Sequence, residues 1–293
     1  MQAMILAAGF GTRLQPHTLI RPKPLFPVLN QPLLLLTVKR LQNLGFSRIV
    51  VNCHHLREQI VAALDGIKGV IVQEEDTLLG TGGGLRRALK HFDDKPLLVT
   101  NGDIYHTLDF KDLYRFHREE GLSVTLAMRN NHRFNTVAVR DGRVVSFDDR
   151  TEQPLLTFTG IHMVDPKTLT DIDENSFSSI IDHYRKCIDS GLGIGCYQDD
   201  DCFWTDMGSP DDYIRLHAGL LKGKIPCWAE AGPVKGPFHV HKRAVIPSSV
   251  RLADWVCIGD GAVVGDRSHL ERVIAWSNVS IAPGERIVGD IIS

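Results

Sequence analysis

Several stretches of this chain combine residue types suited to holding phosphate anions. The first is Leu6-Ala7-Ala8-Gly9-Phe10-Gly11-Thr12-Arg13-Leu14. Small residues at Ala7, Ala8, Gly9 and Gly11 let the main chain approach a ligand closely, with N–H groups free to point at phosphate oxygens. Arg13 adds a planar cation suited to clamping phosphate. The second stretch, nine residues past Arg13, is Pro22-Lys23-Pro24-Leu25, followed by Phe26-Pro27-Val28 and Pro32-Leu33. Prolines on both sides of Lys23 fix its backbone and deny it a helix, which makes it a second, rigidly held cation. The third, Thr100-Asn101-Gly102-Asp103, closes the run Pro96-Leu97-Leu98-Val99. A carboxylate at the C-terminal end of a buried strand is a natural magnesium ligand. Gly80-Thr81-Gly82-Gly83-Gly84 follows Gln73-Glu74-Glu75 and opens a helix; its glycines would leave a backbone edge open to a flat nucleobase.

Other chemistries are absent from the sequence. Leu14 breaks the dinucleotide fingerprint GxGxxG, and no Gly-Lys-Ser/Thr completes a phosphate loop of the Walker type. No GxSxG elbow occurs, and the thirteen histidines show no HExxH or other metal-ligand spacing, so they read as exposed or satisfied residues. A net charge of −2 over 293 residues gives no general reason to bind nucleic acid or an anionic membrane. No stretch approaches the ~20 apolar residues that span a bilayer. Met1–Gly9 lacks a basic n-region and is too short for a signal sequence, so it reads as a buried first strand of a cytoplasmic protein. Six scattered cysteines without a CxxC pair read as reduced and structural.

Short β-rich runs alternate with helical patterns up to about residue 220. Predicted strands are Ala3–Ala7, Arg48–Asn52, Val70–Gln73, Leu97–Thr100 and Ser123–Met128, and predicted helices are Leu33–Leu44, His55–Leu64 and Gly84–His91. That alternation implies an α/β domain with a mainly parallel, Rossmann-like sheet, whose ligands bind beyond the carboxyl ends of the strands. The loops after Ala7, Gln73 and Thr100 therefore carry the site. Glycine and proline punctuation at Gly223, Pro226, Gly232-Pro233 and Gly236-Pro237 marks a linker. From Ile246 onward, Ile246, Leu252, Ile258, Val264, Leu270, Trp276, Ala282 and Val288 recur every six residues. Six steps of 100° do not return to one face of an α-helix, whereas a triangular coil with one hexapeptide per side keeps such a stripe inside. The expected organisation is a domain over 1–222, a linker over 223–240 and a short left-handed β-helix over 241–293. So short a stack needs its ends covered and is compatible with a homo-oligomer.

The loop from Leu6 to Leu14, then Pro16, Thr18 and Pro22 to Val28, closely resembles the signature of sugar-phosphate nucleotidyltransferases. The resemblance covers roughly residues 1–220, and a hexapeptide tail occurs in many members of that family. It implies a Rossmann-like core and a Mg²⁺-dependent reaction in which a sugar 1-phosphate attacks the α-phosphorus of a nucleoside triphosphate and expels pyrophosphate. It assigns nucleotide contacts to Leu6, Ala7, Ala8, Gly9, Gly11, Thr12, Arg13, Leu79, Gly80, Thr81, Gly82 and Gly102. Arg13 and Lys23 become the cations on the phosphates, Lys23 also reaching the sugar phosphate. Asp103 becomes one metal ligand; Phe203-Trp204-Thr205-Asp206-Met207-Gly208 resembles the family's late Trp-x-Asp-x-Gly segment and makes Asp206 the other. Phe158-Thr159-Gly160-Ile161 resembles the sugar-pocket segment, giving Thr159 and Gly160 as contacts.

Two departures concern the sugar. Phe147–Pro154 stands where many relatives carry Glu-Lys-Pro and has no lysine, only Arg150; Asn135-Thr136 replaces a common Tyr-Gly. Within the family the motifs look most like N-acetylmuramate-1-phosphate uridylyltransferases, with mannose-1-phosphate guanylyltransferases a near second. Either would place the chain in nucleotide-sugar biosynthesis for a cell-envelope polysaccharide. A catalytically silent, nucleotide-sugar-binding regulatory subunit is the competing class, and such a subunit would lose Lys23 or a metal carboxylate, all of which are kept here. Acyl transfer by the coil is a third class; it would need a longer stack and a histidine between coils, where only His269 lies within the repeats.

Overall fold

The computed structural model describes the whole chain except Asp149, Thr151, Glu152, Asn175 and Lys235. Three of these fall in the Phe147–Pro154 stretch and one in the expected linker, so those readings lie partly outside the described residues. By contacts the chain forms two compact units, one of Met1–Phe10 with Arg40–Trp204 and one of Gly11–Lys39 with Thr205–Ser293.

The first unit is built on a nine-stranded sheet: β1 (Gln2–Leu6), β2 (Arg48–Cys53), β3 (Val70–Glu74), β4 (Leu97–Asn101), β5 (Val124–Arg129), β6 (Val137–Arg140), β7 (Arg143–Ser146), β8 (Leu155–Val164) and β9 (Ile194–Gln198). Their order is β3-β2-β1-β4-β8-β5-β9-β7-β6. The sheet is mainly parallel, as the sequence pattern predicted, with β8 and β7 running the opposite way. β3, β2, β1 and β4 are parallel, as is the β5–β9 pair, but β8 runs antiparallel to both β4 and β5, and β7 and β6 are antiparallel as well. The parallel strands are the near-continuous apolar runs that a doubly covered sheet requires, such as Ala3-Met4-Ile5 and Ile49-Val50-Val51, all inaccessible. β8 departs from that pattern, with Thr157 and Thr159 buried among its apolar residues and an irregularity between Phe158 and His162.

Chain order of the helices is α1 (His17–Ile20), α2 (Leu33–Asn43), α3 (Arg57–Leu64), α4 (Gly80–Ala88), α5 (Phe110–Glu120), α6 (Ile180–Asp189) and α7 (Pro210–Leu221). Local chemistry sets several of their ends. Asp109 caps α5 by accepting from Lys111 N (2.7 Å), and Gly121 closes it in the left-handed region. Ser209 caps α7, with Pro210 in its first turn and Asp211 and Asp212 at its positive end. The six cysteines are all unpaired, and five of them are buried.

In the second unit, strands β10 (Phe238–Val240), β11 (Arg251–Ile258), β13 (His269–Ala275), β15 (Arg286–Val288) and β16 (Ile291–Ile292) make parallel pairs, as do β12 (Val263–Val264) and β14 (Ser280–Ile281). Partners are 18 residues apart at Leu252–Leu270, the length of three hexapeptides, but 17 apart at Val256–Val273 and beyond. The change occurs where Asp254 and Trp255 of β11 lie opposite the single residue Arg272 of β13. It corrects the strict six-residue stripe. From that point Ala275, Ile281 and Ile287 join the coil's apolar core in place of Trp276, Ala282 and Val288. Ala282 and Val288 are exposed, and Trp276 is buried on other partners.

Candidate active site

The residues singled out from the sequence divide between the two units. Leu6 to Gly9, Leu79 to Gly82, Gly102, Asp103, Thr159 and Gly160 belong to the first; Gly11, Thr12, Arg13, Lys23 and Asp206 belong to the second.

In the first unit, β1, β2 and β4 end side by side, with Leu6 paired to Asn52 and to Asn101. The main chain past Leu6 is fixed from both neighbours. Gly102 N donates to Leu6 O (2.7 Å), which sets Asp103, partly exposed, just beyond the strand ends. Ala7 N donates to Asn52 Oδ1 (2.9 Å). That amide is therefore committed within the protein, and the expectation that it points at phosphate passes to Ala8, Gly9 and Gly11. Asn52 Nδ2 in turn donates to Glu75 Oε1 (2.8 Å), and Glu75 Oε2 accepts from Leu79 N (3.2 Å). A fully buried carboxylate thus ties the loop after β1 to the loop before α4. Neither Asn52 nor Glu75 was singled out from the sequence. Glu75 was visible there as a carboxylate after a strand, but its partners come from two other segments.

The edge of the glycines that open α4 is partly covered. Gly82 N and Gly83 N both donate to Ser178 O (2.8 and 3.3 Å), and Ile180 N donates to Thr81 Oγ1 (2.9 Å). A Cβ on Gly83 would stand 2.4 Å from Ser176 O. The run is small because segment 176–180 packs into it; Gly80 and Thr81, both half-buried, keep exposed surface, whereas Leu79 and Gly82 are buried.

The Thr159-Gly160-Ile161 stretch is the irregularity of β8, where three residues face Ala127 alone on β5. Thr159 Oγ1 donates to Ala127 O (2.7 Å), and Thr159 O accepts from Trp204 Nε1 (2.8 Å). Gly160 has φ +77°, and a Cβ there would meet Asn101 Nδ2 at 2.6 Å. The bulge therefore lies against the Asn101-Gly102-Asp103 turn.

In the second unit the signature segment meets the late acidic segment. Arg13 Nη2 lies 3.5 Å from Asp206 Oδ2, with side-chain exposures of 65% and 22%. Gly208 N donates to Asp206 Oδ1 (3.0 Å), and a Cβ on Gly208 would lie 2.7 Å from Asp206 Oδ2 and 2.9 Å from Arg13 Nη1. An ion pair this exposed is worth only about 0.5 kcal/mol, so a phosphate oxygen or a cation can take over either partner at little cost. Lys23 is 6% exposed and lies in a 3₁₀ turn over Lys23–Leu25. Its Cβ and Thr18 Cγ2 enclose Gly11, and Thr18 Oγ1 donates to Gly11 O (3.2 Å). Gly11, Thr18 and Lys23 are thus packed together.

Among the described residues no group of three or more His, Cys, Asp or Glu forms a metal cage. The histidines depart from the expectation in one respect: His162 is buried and neither ring nitrogen has a hydrogen-bond partner among the described residues. Burial pushes it down to about 3, and His217 to about 4.

Residues 2–223 match the family described as "Nucleotidyl transferase". The chain is 28% identical, over 97% of its length and 82% of the relative's, to mannose-1-phosphate guanylyltransferase of Mycobacterium tuberculosis. It is 26% identical, over all of its length and 87% of the relative's, to UTP–glucose-1-phosphate uridylyltransferase of a Synechocystis species. Its fold matches that of the inositol-1-phosphate CTP transferase from T. maritima with a TM-score of 0.62 at 20% identity, covering 77% of this chain and 98% of that one. With its signature loop, late acidic segment and sheet in place, the chain belongs to the nucleotidyl transferase family, among its sugar-1-phosphate nucleotidyltransferases.

Proposed function

We propose that this protein joins a nucleoside triphosphate to a sugar 1-phosphate, forming a nucleotide-sugar and pyrophosphate with Mg²⁺. The observation that carries the reading is the pairing of Arg13 with Asp206: two segments 193 residues apart in sequence meet as a cation and a carboxylate over Gly208. A phosphate monoester has a second pKa near ~6, so the attacking oxygen is already anionic at neutral pH and needs no general base. The remaining obstacle is repulsion between anions. Arg13 and Lys23 offset it on the triphosphate as pyrophosphate leaves, and the amides of Ala8, Gly9 and Gly11 orient the phosphate chain. Leu6, Leu79, Gly80, Thr81, Gly82 and Gly102 of the first unit and Thr12 of the second are assigned to the nucleotide, and Thr159 and Gly160 to the sugar.

Asp103 and Asp206 suit Mg²⁺, because both are hard oxygen donors with exposed surface and Mg²⁺ does not require an all-protein cage. When bound, the ion adds positive charge where phosphate charge develops. We assign the nucleotide to the guanylyl or uridylyl class, the two classes for which the relatives are named. The proposal extends to the linear organisation, with a catalytic domain over 1–222, a linker over 223–240 and residues 241–293 forming a left-handed β-helix that suits a subunit interface. It also places the protein in the cytoplasm, where unpaired cysteines stay reduced, in nucleotide-sugar supply for a cell-envelope polysaccharide.

The test is pyrophosphate release with Mg²⁺ across UTP, GTP, CTP, ATP and dTTP against a panel of sugar 1-phosphates. Release that requires one nucleotide and one sugar phosphate supports the proposal. Silence across the panel with tight binding of a finished nucleotide-sugar would overturn it in favour of the regulatory subunit.

A further inference from the structure

We propose that Trp276 and Tyr213 are positioning residues for Lys23, so that the C-terminal coil takes part in setting the phosphate-binding segment. The inference rests on the role given to Lys23 above. Its structural origin is the shortened turn of the coil. Had the 18-residue offset continued to the end of β11, Trp276 would have paired with Ile258; Ala275 does so instead. The indole is displaced from the coil's interior, and its partners include residues on both sides of Lys23.

Arg21, two residues before Lys23, places its guanidinium carbon 4.5 Å from the centre of the Trp276 ring. Phe26, three residues after Lys23, packs edge-on to the same indole with centroids 4.7 Å apart. Trp276 Nε1 donates to Tyr213 Oη (3.3 Å), and that hydroxyl donates to Pro27 O. The turn between these anchors is short and closed: Leu25 N donates to Pro22 O (2.8 Å) and Phe26 N to Lys23 O (3.0 Å). A shift of Phe26 or Pro27 therefore moves the Lys23 backbone directly.

A second set of ties holds the short hairpin that pairs Pro27-Val28 with Gln31-Pro32. Asn30 Nδ2 donates to Ile258 O (2.8 Å) and Asn30 Oδ1 accepts from Cys257 Sγ (3.2 Å), both on β11. Leu29 N donates to His217 Nε2 (3.4 Å), and His217 Nδ1 lies 3.1 Å from Tyr213 O. Those two bonds require one neutral tautomer, with the proton on Nδ1, and the burial that lowers His217 to about 4 keeps the ring neutral at working pH. On the segment that carries Lys23, these contacts fall between Arg21 and Asn30, with His17 a further ring contact of Trp276. A tail that served only to extend the fold would need an apolar face, not a donor chain ending on the carbonyl of Pro27.

The test uses the full chain with Trp276→Phe and Tyr213→Phe, each made alone and in a Lys23→Ala background. Phenylalanine keeps an aromatic ring at either place and removes the donor. In pyrophosphate release with the active substrate pair, each variant should lower kcat about tenfold with KM changed less than about threefold, a loss of the kind small misplacements cause. In the Lys23→Ala background the same substitution should cost less than about twofold, because the group it positions is gone. An undiminished tenfold loss in that background would overturn the proposal, as would wild-type kcat in both phenylalanine variants. Hydrogen exchange supplies a readout independent of turnover: amides of Leu25, Phe26 and Val28 should exchange faster while those of β4 do not change. Wild-type turnover in Lys23→Ala would sink the role given to Lys23. The brace would then stand or fall on that exchange, and unchanged protection would end it.

Discussion

Replacing Glu75 by glutamine probes the link between the two loops of the first unit. The native carboxylate only accepts. Asn52 Nδ2 (2.8 Å) and Gln73 Nε2 (3.4 Å) converge on Oε1, and Leu79 N (3.2 Å) reaches Oε2. Gly84 closes another side, since a Cβ there would stand 2.8 Å from Asn52 Nδ2 and 3.0 Å from Glu75 Oε1. Glutamine has nearly the same shape but offers one oxygen and one NH₂, so in either orientation a donor faces a donor. One buried N–H loses its acceptor and the new amide finds none, at about 1–2 kcal/mol each, so Glu75→Gln should cost about 3 kcal/mol. For a chain of this size that corresponds to a melting temperature lower by roughly 6–12 °C. Because Asn52 also holds Ala7 N (2.9 Å), a rotated Asn52 loosens the loop after β1. Catalytic efficiency for the nucleotide should then fall about tenfold even well below the new melting point. Thermal unfolding and pyrophosphate release on the same preparation measure both effects. An unchanged melting temperature would refute the converging-donor reasoning, and a lower one with unchanged efficiency would refute the link to the loop.

Lys23→Ala and Asp103→Asn should each reduce turnover by at least ~10²-fold, the scale for one electrostatic donor or ligand, as read from steady-state pyrophosphate release. Gly208→Ala puts a methyl within 2.9 Å of both Arg13 and Asp206 and should lower kcat about tenfold while leaving the circular dichroism spectrum unchanged. Stability should fall with acid. His162 and His217, held by burial at about 3 and 4, stay neutral when folded but take up protons near 6.5 when unfolded. The unfolded state thus binds more protons, and the stabilisation these rings provide, complete above 6.5, is lost as pH falls through the window toward 4. Each ring contributes about 1.4 kcal/mol per pH unit there. His162→Phe should remove one such contribution, so urea unfolding at pH 7 and pH 4.5 should differ less in the variant than in the wild type.

The chemistry was legible where it depends on short runs. Leu6 to Leu14 needs small residues and a cation next to a strand end, and Pro22-Lys23-Pro24 fixes its own backbone; both requirements are local. The parallel core was legible because strands covered on both faces must be apolar throughout. What could not be read locally was settled by partners distant in sequence. The sheet is not wholly parallel because β8 inserts between β4 and β5, a neighbour choice that a local pattern does not encode. The Gly80–Gly84 run suggested an opening for a base, yet segment 176–180 fills part of it, and Ala7's amide is committed to Asn52 from the next strand.

The coil shows the same division. Its six-residue period led to the expectation of stacked, parallel short strands, and parallel pairs are what that segment forms. One residue fewer opposite Asp254 and Trp255 then shifted the register, placing Ala275 within and turning Trp276 toward Phe26, Arg21 and Tyr213. Composition and periodicity specify which residues prefer burial. Which side chains bury one another depends on register and on the space left by segments far away in sequence, and the tertiary structure alone decides that.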